Sequence, residues 1–331
     1  MKRVNQLRAR VYDIINSRLN RFAKGPLRDF AKPGFLCFKL TERCNSRCVH
    51  CGIWHNTDSG RELSKDDWIC IINNLRDWTG PANLVITGGE ALLRPDALDL
   101  VRHACNVGMV VELLSNGIAC DHRVCEQIVL SGVDRITFSL DGITPQTHAS
   151  IRGIPDNFVC TLEAIENIDK HRKKYRSEIK ILLKTVLMRE NIHEVIAIGD
   201  WITSQGKAEW RIQPIEQNYG ERDNPLWYKT SDLWITDLKA VTHLVSELKQ
   251  RKKDGCPLQN DFQSLDYIAS YFANPDTYMR AIQSHNLPGL DWTPPANFEV
   301  SAAGDVRFSF MLQPAGNLKD SSPKDIWNRR H

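Results

Sequence analysis

Three cysteines near the start of the chain have a spacing suited to an iron–sulfur cluster. Cys44, Cys48 and Cys51 form a C-x3-C-x2-C pattern directly after residues 35–40, an apolar segment typical of a strand. Three thiolates on one loop can hold three irons of a [4Fe-4S] cube and leave the fourth iron without a protein ligand. An open coordination position lets a metal bind a second molecule, whereas structural sites tend to be closed. The spacing therefore predicts a metal centre that takes part in chemistry.

Two other interpretations of these cysteines stay open. Isolated free cysteines are usually small buried hydrophobic residues, which explains three cysteines within eight residues poorly. His55, on the same loop, completes a Cys3His set that could hold zinc. A non-enzymatic zinc protein of this kind would contain one zinc ion per chain and would bind RNA in a salt-sensitive manner.

A glycine-rich strand end one βα unit later favours the cluster. Gly88, Gly89 and Glu90 end an apolar run, and glycines at the carboxyl end of a strand let the backbone approach a ligand closely. Together with the cysteine triplet, this segment resembles the radical S-adenosylmethionine (SAM) superfamily. The resemblance implies that the open iron binds the amino and carboxylate groups of SAM and that the Gly-Gly-Glu strand contacts the amino group. Ala91 stands where the family commonly has proline.

The same resemblance implies the cofactors and the reaction class. The cofactors would be a [4Fe-4S] cluster and SAM. One electron, from a flavodoxin- or ferredoxin-type donor, would cleave SAM reductively, and the 5′-deoxyadenosyl radical would abstract hydrogen from the substrate. In such an enzyme the cofactor supplies the radical chemistry, while the protein orients the substrate and excludes water.

From residue 35 onward, short apolar segments alternate with longer amphipathic ones, which indicates βα repeats around a parallel sheet. Six strands instead of eight predict an α/β fold with an open, partial (β/α)6 TIM-like barrel, and the radical SAM core that the chain resembles has this architecture. Functional residues should then lie at the carboxyl ends of the strands. We predict strands at 35–40, 83–87, 109–114, 134–140, 178–187 and 209–213, and helices at 64–78, 95–107, 122–131, 157–174, 191–204 and 231–253.

Polar residues at the ends of the later strands are the candidates for contact with SAM. Asn-Gly and Asp-Gly pairs are common turn formers, so composition alone does not separate a turn from a binding loop. Two of these stretches are similar to the TNG and S-x-DG stretches of the family. An arginine that follows them in many relatives pairs with the SAM carboxylate. The candidates are Ser115 and Asn116 after the third strand, Ser139 and Asp141 after the fourth, Arg152, and Arg211 and Gln213 in the sixth, which could reach SAM or substrate.

The C-terminal segment is similar to the SPASM or twitch extensions of radical SAM enzymes, in which cysteines bind auxiliary clusters. A hairpin is predicted around Ala303-Gly304-Asp305, before a final helix that contains Asp325-Ile-Trp. Ser309 stands about where a cysteine is expected, and no cysteine follows Cys256. Because a cluster needs several thiolates, the segment is predicted to keep the hairpin without an auxiliary cluster.

Cys256 lies alone in the predicted loop Asp254-Gly-Cys-Pro257. A single cysteine is weak evidence for catalysis, and an ordinary loop or buried thiol explains it. In radical SAM epimerases, however, a lone cysteine in the C-terminal part donates a hydrogen atom to the substrate radical. The resemblance therefore makes Cys256 a candidate hydrogen donor.

The first 34 residues form a basic segment. They hold nine Lys or Arg against Asp13 and Asp29, whereas the whole chain has a net charge of +3. Their apolar residues recur at helical spacing, and we expect this stripe to pack on the chain's own domain with the basic face solvated. Contact of residues 1–30 with an anionic membrane or with a partner is the alternative. The stripe consists of Val4, Leu7, Val11, Ile14, Ile15, Leu19 and Phe22.

Composition excludes several classes of protein. A hydrophobic content of 42% and a charged content of 25% are ordinary for a globular chain of 331 residues. There is no apolar run of about 18 residues and no signal-peptide h-region. A cytoplasmic location is expected, because the cysteines suit a reducing compartment. The basic run at 249–253 ends a predicted helix, where cations are favourable, so a nucleic-acid partner is not expected.

The segments predicted are a basic helix at 1–34, the radical SAM barrel at 35–215, a mostly helical linker region at 216–290 and the extension at 291–331. Without auxiliary cysteines there is no built-in electron acceptor. We therefore expect a redox-neutral outcome, such as epimerisation, rearrangement or carbon–carbon bond formation, on a small metabolite or natural-product scaffold. The alternatives are dehydrogenation, peptide maturation of the SPASM type, modification of a lipid precursor at a membrane, and the zinc protein described above.

Overall fold

One sheet organises the part of the chain that the structure describes. The structure is a computed structural model and describes residues 2–22, 30–55, 62–217, 224, 226–278, 297–308 and 313–329. The strands in these ranges are β1 (Phe35–Lys39), β2 (Asn83–Thr87), β3 (Val110–Ser115), β4 (Arg135–Ser139), β5 (Lys180–Leu187), β6 (Glu209–Pro214), β7 (Asn297–Val300), β8 (Asp305–Arg307) and β9 (Gly316–Asn317). They form a single sheet in the order β6-β5-β4-β3-β2-β1-β7-β8-β9.

The helices of the described residues cover the outer side and the ends of this sheet. None of them is both long enough and apolar enough to cross a lipid bilayer. They are α1 (Lys2–Phe22), α2 (Lys65–Thr79), α3 (Ala97–Asn106), α4 (His122–Leu130), α5 (Pro145–Arg152), α6 (Asn157–Lys174), α7 (Val195–Gln205), α8 (Leu238–Lys253), α9 (Phe262–Ala273) and α10 (Pro323–Trp327).

Local sequence explains the repeating strands and helices. Strands β1 to β6 are parallel neighbours, and parallel strands are apolar on both faces because helices cover them. Helix α2 begins at Ser64 with a capping box, in which Ser64 and Asp67 satisfy each other's backbone N–H groups. Helix α5 begins after Thr144, whose side chain caps it, with Pro145 in the first turn.

The predicted partial barrel is confirmed. All six predicted strands and the first five predicted helices are present, with ends that differ by a few residues at most. The helix expected from residue 231 begins instead at Leu238, because Asp237 caps it by accepting the N–H groups of Lys239 and Ala240. Two helices were missed by the sequence reading, α5 and α9.

The C-terminal segment continues the barrel sheet. Strand β7 pairs in parallel with β1, from Phe35 opposite Asn297 to Phe38 opposite Val300. The predicted hairpin is confirmed, because β7 and β8 pair antiparallel around the turn at 301–304. Ser309 lies outside the described residues. The division of the chain into four segments stays a prediction, and the extension shares one sheet with the barrel.

Helix α1 lies across the amino-terminal ends of the barrel strands. Lys2 donates to the carbonyl oxygens of Gly132 and Val133, just before β4, at 2.8 and 3.1 Å. Asn83, the first residue of β2, donates to the carboxylate of Asp13. The expectation that the apolar stripe packs on the barrel is wrong. The helix uses its polar side for this contact, and the apolar side chains up to Ile15 are exposed.

Candidate functional site

A cavity of about 350 Å³ opens at the carboxyl ends of the barrel strands. This is the end at which residues from separate strands converge in barrels of this kind. Most of the cofactor-binding residues predicted from the sequence line it. They are Gly88, Gly89, Glu90, Ser115, Asn116, Ser139, Arg152 and Gln213, together with the predicted cluster ligand Cys51.

The cysteine loop is held on one side by the end of α5. The N–H groups of Arg47 and Val49 donate to the carbonyl oxygens of Arg152 and Ile151, at 2.9 and 3.0 Å. Gly153 has a φ of 71°, and a Cβ at this position would lie 2.4 Å from the carbonyl oxygen of Arg47. Glycine is therefore required here both for the backbone conformation and for the close approach of the loop.

The Gly-Gly-Glu turn holds the loop on the other side. The N–H of Gly89 donates to the carbonyl oxygen of Thr41 at 2.8 Å, and that of Glu90 donates to Arg43 at 2.9 Å. A Cβ on Gly88 or Gly89 would lie 2.3 Å from a carbonyl oxygen of this same segment. In this structure the glycines allow the turn to pack closely against the cysteine loop. The sequence had suggested another reason for glycine here, the close approach of the backbone to a ligand.

Asn116 connects the cysteine loop to the end of β3. Its side-chain amide donates to Asn45 Oδ1 at 2.7 Å and to Ser46 Oγ at 3.0 Å, and it lies 4.0 Å from Cys44 Sγ. Its backbone N–H donates to Glu90 Oε2 at 2.7 Å. Glu90 is 1% exposed, and its burial raises the pKa of the carboxyl group while the N–H of Asn116 lowers it. Both residues therefore hold the loops that form the cavity wall.

Asp141 and Arg152 form an ion pair behind the cavity wall. Their Oδ2 and Nη1 atoms are 3.1 Å apart, and Asp141 Oδ1 also accepts the backbone N–H of Val186 at 2.8 Å. Asp141 is fully buried and does not line the cavity, whereas Arg152 does. The Nε of Arg152 has no hydrogen-bond partner among the described residues. Asp141 thus positions the guanidinium of Arg152 at the cavity wall.

Burial shifts the pKa values of the three loop thiols upward. The pKa of Cys48 is raised to about 11, mainly by desolvation, while the nearby Arg152 cation lowers it. The pKa values of Cys44 and Cys51 are raised for the same first reason. Since a cysteine binds metal as a thiolate, a metal centre here needs positive charge nearby, and Arg152 supplies it.

The histidines of this loop do not form the Cys3His zinc set. His55 is exposed and stacks on the ring of Trp54, with centroids 3.6 Å apart. His50 is partly buried and lines the cavity; desolvation lowers its pKa to about 4, and its Nδ1 has no partner within the described ranges. Within those ranges, no three His, Cys, Asp or Glu side chains are arranged to hold a metal ion. The zinc alternative gains no support from this geometry.

Comparison with known proteins identifies the family. The model of the radical SAM superfamily matches residues 38–202. The chain belongs to this superfamily. It is 30% identical over 181 residues to an AdoMet-dependent heme synthase from Methanosarcina barkeri, a match that covers 54% of this chain and only half of the length of that relative. It is 26% identical over 314 residues to an AdoMet-dependent heme synthase from Oleidesulfovibrio alaskensis, with 89% of this chain and 74% of the relative covered.

A solved structure shows the same fold. Streptococcus suis SuiB, in a crystal structure with S-adenosylmethionine, superposes with a TM-score of 0.63 over 89% of this chain and 65% of SuiB, at 15% identity. The radical SAM fold of this chain is therefore shared with a structure of very different sequence.

The residues present fit the cofactors of the superfamily, a [4Fe-4S] cluster and SAM. Cys44, Cys48 and Cys51 would hold three irons, since thiolates are the ligands of such clusters. The guanidinium of Arg152, which lines the cavity, is suited to bind a carboxylate there. Thiolates that bind a [4Fe-4S] cluster lie farther apart than thiolates that bind one metal ion. The described residues contain no group of three side chains close enough to bind a single ion, and this is compatible with a cluster.

Besides Asp141, two further predicted site residues lie away from the cavity. Arg211 lines a second cavity, at the amino-terminal ends of the strands, and donates to Gln259 Oε1 at 2.7 Å. Cys256 is buried on the outer side of β6, with its Sγ 4.0 Å from the carbonyl oxygen of Gly199 in α7. Neither placement supports a role for these residues in contact with SAM or substrate.

A set of charged side chains inside the barrel was not predicted from the sequence. Lys184 in β5 and Glu216 after β6 line the cavity, as does Lys39, which pairs with Glu299 of β7 at 3.1 Å. Lys184 and Lys39 each interrupt an apolar strand sequence. Successive side chains of a strand point to opposite faces of the sheet. A charged residue within an apolar strand is therefore a sequence signal for a side chain that faces the barrel interior.

Proposed function

We propose that this radical SAM enzyme abstracts hydrogen from a small polar substrate with an anionic group, and that one electron from the external donor and one proton then convert the substrate radical to a product at the same oxidation level. The observation that carries the substrate class is Lys184. Its ammonium lines the cavity and forms no hydrogen bond or ion pair with the described residues.

A partly buried ammonium without an ion pair gains stability when an anionic ligand pairs with it. Burial lowers the pKa of Lys184, and the largest opposing influence is the negative charge of Glu216. Lys184 lies opposite Ser139 in the pairing of β4 with β5, on the side of the cavity away from β1. A carboxylate or phosphate bound at Lys184 would restore the charge balance. The carboxyl group of Glu216, which is exposed and lines the cavity, is placed to accept a hydrogen bond from a substrate hydroxyl or amine.

The distribution of cysteines supports the redox-neutral outcome. All ten cysteines of the sequence lie in described ranges and are free thiols. Outside the loop at 44–51, no three of them are arranged to bind a metal ion. Since an auxiliary cluster needs several thiolates, these 331 residues offer no second cluster to take an electron from the substrate radical.

The roles that we assign follow from these positions. Cys44, Cys48 and Cys51 hold the cluster, and Arg152 offsets the negative charge of the thiolates and binds the SAM carboxylate. When bound, SAM and the reduced cluster supply the radical that abstracts hydrogen. Lys184 anchors the substrate, and the strands that surround the cavity exclude water.

The test starts with the cofactor and then addresses the substrate. After anaerobic reconstitution we expect about four irons and four sulfides per chain and slow conversion of SAM to 5′-deoxyadenosine with dithionite. Anionic fractions of a small-molecule extract, separated by anion exchange, should stimulate this conversion. Lys184→Ala should remove the stimulation and leave the unstimulated rate unchanged, while Lys184→Arg should keep part of it.

Other results would contradict specific parts of the proposal. If Lys184→Ala also abolishes SAM cleavage in the absence of substrate, Lys184 is needed for SAM binding or cleavage. The proposed substrate class is then wrong. If only cationic or neutral fractions stimulate, the anionic group is wrong. A product lighter than its substrate by two hydrogens, or about eight irons per chain, would favour dehydrogenation.

The heme synthase relatives favour a second candidate, a tetrapyrrole substrate. Heme-related names recur among the most similar relatives, and a porphyrin carboxylate would satisfy Lys184 as well as a smaller anion. Iron-coproporphyrin III should then bind the reconstituted enzyme with a shifted Soret band, and Lys184→Ala should weaken this binding. An unchanged Soret band at saturating protein would exclude this candidate.

A further inference from the structure

Helix α1 is fixed to the barrel by the polar side that it turns toward it. Gln6 donates to Asp134 Oδ1 at 2.8 Å, and Tyr12 donates to the carbonyl oxygen of Pro33 at 2.9 Å. Ala9, between them, is 1% exposed. With the bonds of Lys2 and Asp13 described above, these contacts span three turns of the helix and determine which side faces outward.

The opposite side of α1 is an exposed apolar stripe. Its members are spaced three or four residues apart, which places them on one face of a helix. They make up five of the fourteen large hydrophobic residues that are exposed in the described chain. Single exposed apolar residues are ordinary, but a contiguous set marks a surface of interaction. The exposed fractions are 51% for Val4, 63% for Leu7, 47% for Val11, 50% for Ile14 and 51% for Ile15.

The charged residues that α1 places around this stripe are arginines, and the carboxylate of Glu178 from the barrel pairs with Arg3 beyond its border. Arg8 and Arg18 follow Val4 and Ile14 by one turn, so they lie on the same face, and both are exposed. Arg10, also exposed, lies at its border. The one acidic residue of α1, Asp13, is turned toward Asn83 and the barrel. The outward face therefore combines apolar side chains with arginines and carries no carboxylate.

We propose that this face of α1 binds the surface of an anionic lipid bilayer. A helix lying in the interface places apolar side chains at the boundary of head groups and acyl chains, and its arginines reach the lipid phosphates. Anionic lipid is the occupant that the charge favours, because Arg8 and Arg18 form no ion pair with the described residues. A protein partner or a second copy of the chain would have to supply acidic groups around an apolar strip.

The position of α1 determines how the enzyme is oriented on the bilayer. Its contacts are with residues that precede or begin β2 and β4, whereas the cavity opens at the carboxyl ends of the strands. The lipid surface and the cavity mouth are therefore on opposite ends of the barrel. The substrate enters from the aqueous side, so membrane binding through α1 does not imply a lipid substrate.

The test is co-sedimentation of the full chain with vesicles of phosphatidylcholine, with or without phosphatidylglycerol. We expect sedimentation with the anionic vesicles that weakens as salt is added. The double variants Leu7→Gln/Ile14→Gln and Arg8→Gln/Arg18→Gln should each reduce partitioning at least tenfold. The matched control is Leu130→Gln/Val159→Gln, which removes two exposed apolar side chains elsewhere and should bind as the wild type does.

Three results would overturn the proposal. One is no sedimentation at low salt. Another is equal binding to vesicles with and without phosphatidylglycerol, or a loss of binding in the Leu130→Gln/Val159→Gln control equal to that in the α1 variants. The third is a concentration-dependent dimer, measured by light scattering without lipid, that the Leu7→Gln/Ile14→Gln variant abolishes. Circular dichroism and thermal unfolding of each variant would show that the fold is intact, which is expected because all the substituted side chains are exposed.

Discussion

At the scale of single residues, the site depends on a few buried polar groups that hold one another in place. The ion pair of Asp141 and Arg152 is the deepest of these. Asp141 is fully buried and Arg152 is 8% exposed. Because a buried charge is costly without its partner, each residue requires the other, and the cysteine loop that hydrogen-bonds to Arg152 depends on both.

Replacement of Arg152 should therefore affect both stability and the cluster. We expect Arg152→Gln to lower the free energy of unfolding by about 3–5 kcal/mol, since it leaves the Asp141 carboxylate unpaired. The double variant Arg152→Gln/Asp141→Asn should lose less than the sum of the single variants. Urea unfolding of the apoprotein measures the first effect and iron per chain after reconstitution measures the second.

An exposed ion pair provides the control for this experiment. Arg102 and Asp99 are 3.0 Å apart, and both are largely solvated. Arg102→Gln should change the free energy of unfolding by less than about 1 kcal/mol and should leave iron binding unchanged. A similarly small effect of Arg152→Gln would mean that water reaches Asp141 and that the pair is not a structural requirement.

Asp13 should make stability depend on pH. Burial raises its pKa to about 6, with the hydrogen bond from Asn83 opposing the shift. A raised carboxyl pKa means that the folded state binds the proton more tightly, so stability falls as the pH rises from about 4 to about 6. Asp13→Asn should therefore be more stable than the wild type at pH 7.5, by on the order of 1 kcal/mol because solvent reaches the carboxyl.

The measurement for Asp13 is the unfolding midpoint at several pH values. The advantage of Asp13→Asn should shrink toward zero near pH 4, where the wild-type carboxyl is protonated in both states. If Asp13→Asn is more stable than the wild type by the same amount at every pH, the protonation of Asp13 is not the cause of the difference.

At the scale of elements, the turn after β2 and the cysteine loop form one packed unit. Gly89 does not have a positive φ, so alanine is excluded there only by the Cβ that would lie 2.3 Å from Arg43 O. Overpacking of this kind costs about 1–3 kcal/mol. We expect Gly89→Ala to lower iron binding as well, because the strain is relieved by movement of the cysteine loop.

Gly206 is a suitable comparison for Gly89. It has a φ of 61° and open space around the position of a Cβ. Gly206→Ala should therefore cost about 1 kcal/mol through backbone conformation alone and should keep full iron binding. If Gly89→Ala also binds four irons per chain, the turn does not control the position of the loop. Iron content and urea unfolding distinguish the two glycines.

The elements differ in how far the sequence could predict them. The strands of the barrel were predictable because apolar runs between polar turns occur once in each repeat. The orientation of α1 was not, because periodicity reveals an apolar stripe but not the direction in which it faces. Here hydrogen bonds from Lys2, Gln6 and Asp13 determine that direction. Strand β7 was expected only as half of a hairpin, since its parallel partner β1 lies about 260 residues away.

The residues of the candidate site also differ in how far the sequence could predict them. The cysteine loop and the Gly-Gly-Glu turn were found because their residues are close together in the sequence. Lys184 and Glu216 were missed because their importance depends on the strands that surround them. Cys256 and Arg211 were proposed from their positions along the chain, and the fold places both away from the cavity. Whether a side chain faces inward depends on strand register, which the sequence pattern specifies only in part.

At the scale of the whole molecule, the C-terminal segment stabilises the barrel from its β1 edge. Strand β7 covers the edge of β1 that would otherwise be unpaired among the described strands. Trp327 of α10 is fully buried, packs near Trp78 and Phe298, and donates to the carbonyl oxygen of Ala31 at 2.7 Å. One core therefore joins the two ends of the described chain to α2 and the sheet.

Because of this shared core, we expect Trp327→Ala to destabilise the entire protein. The loss should be about 3–5 kcal/mol, the range for removal of a large buried aromatic side chain, with an additional exposed carbonyl at Ala31. Unfolding followed by tryptophan fluorescence and by circular dichroism at a helical wavelength should give one coincident transition for wild type and variant, since the tail and the barrel share a sheet. Trp54→Phe, which changes an aromatic residue of the cysteine loop outside this core, controls for the altered fluorescence. Two separate transitions, with only the weaker one shifted by Trp327→Ala, would mean that the C-terminal segment folds independently and that β7 is an accessory strand, not part of the barrel's cooperative core.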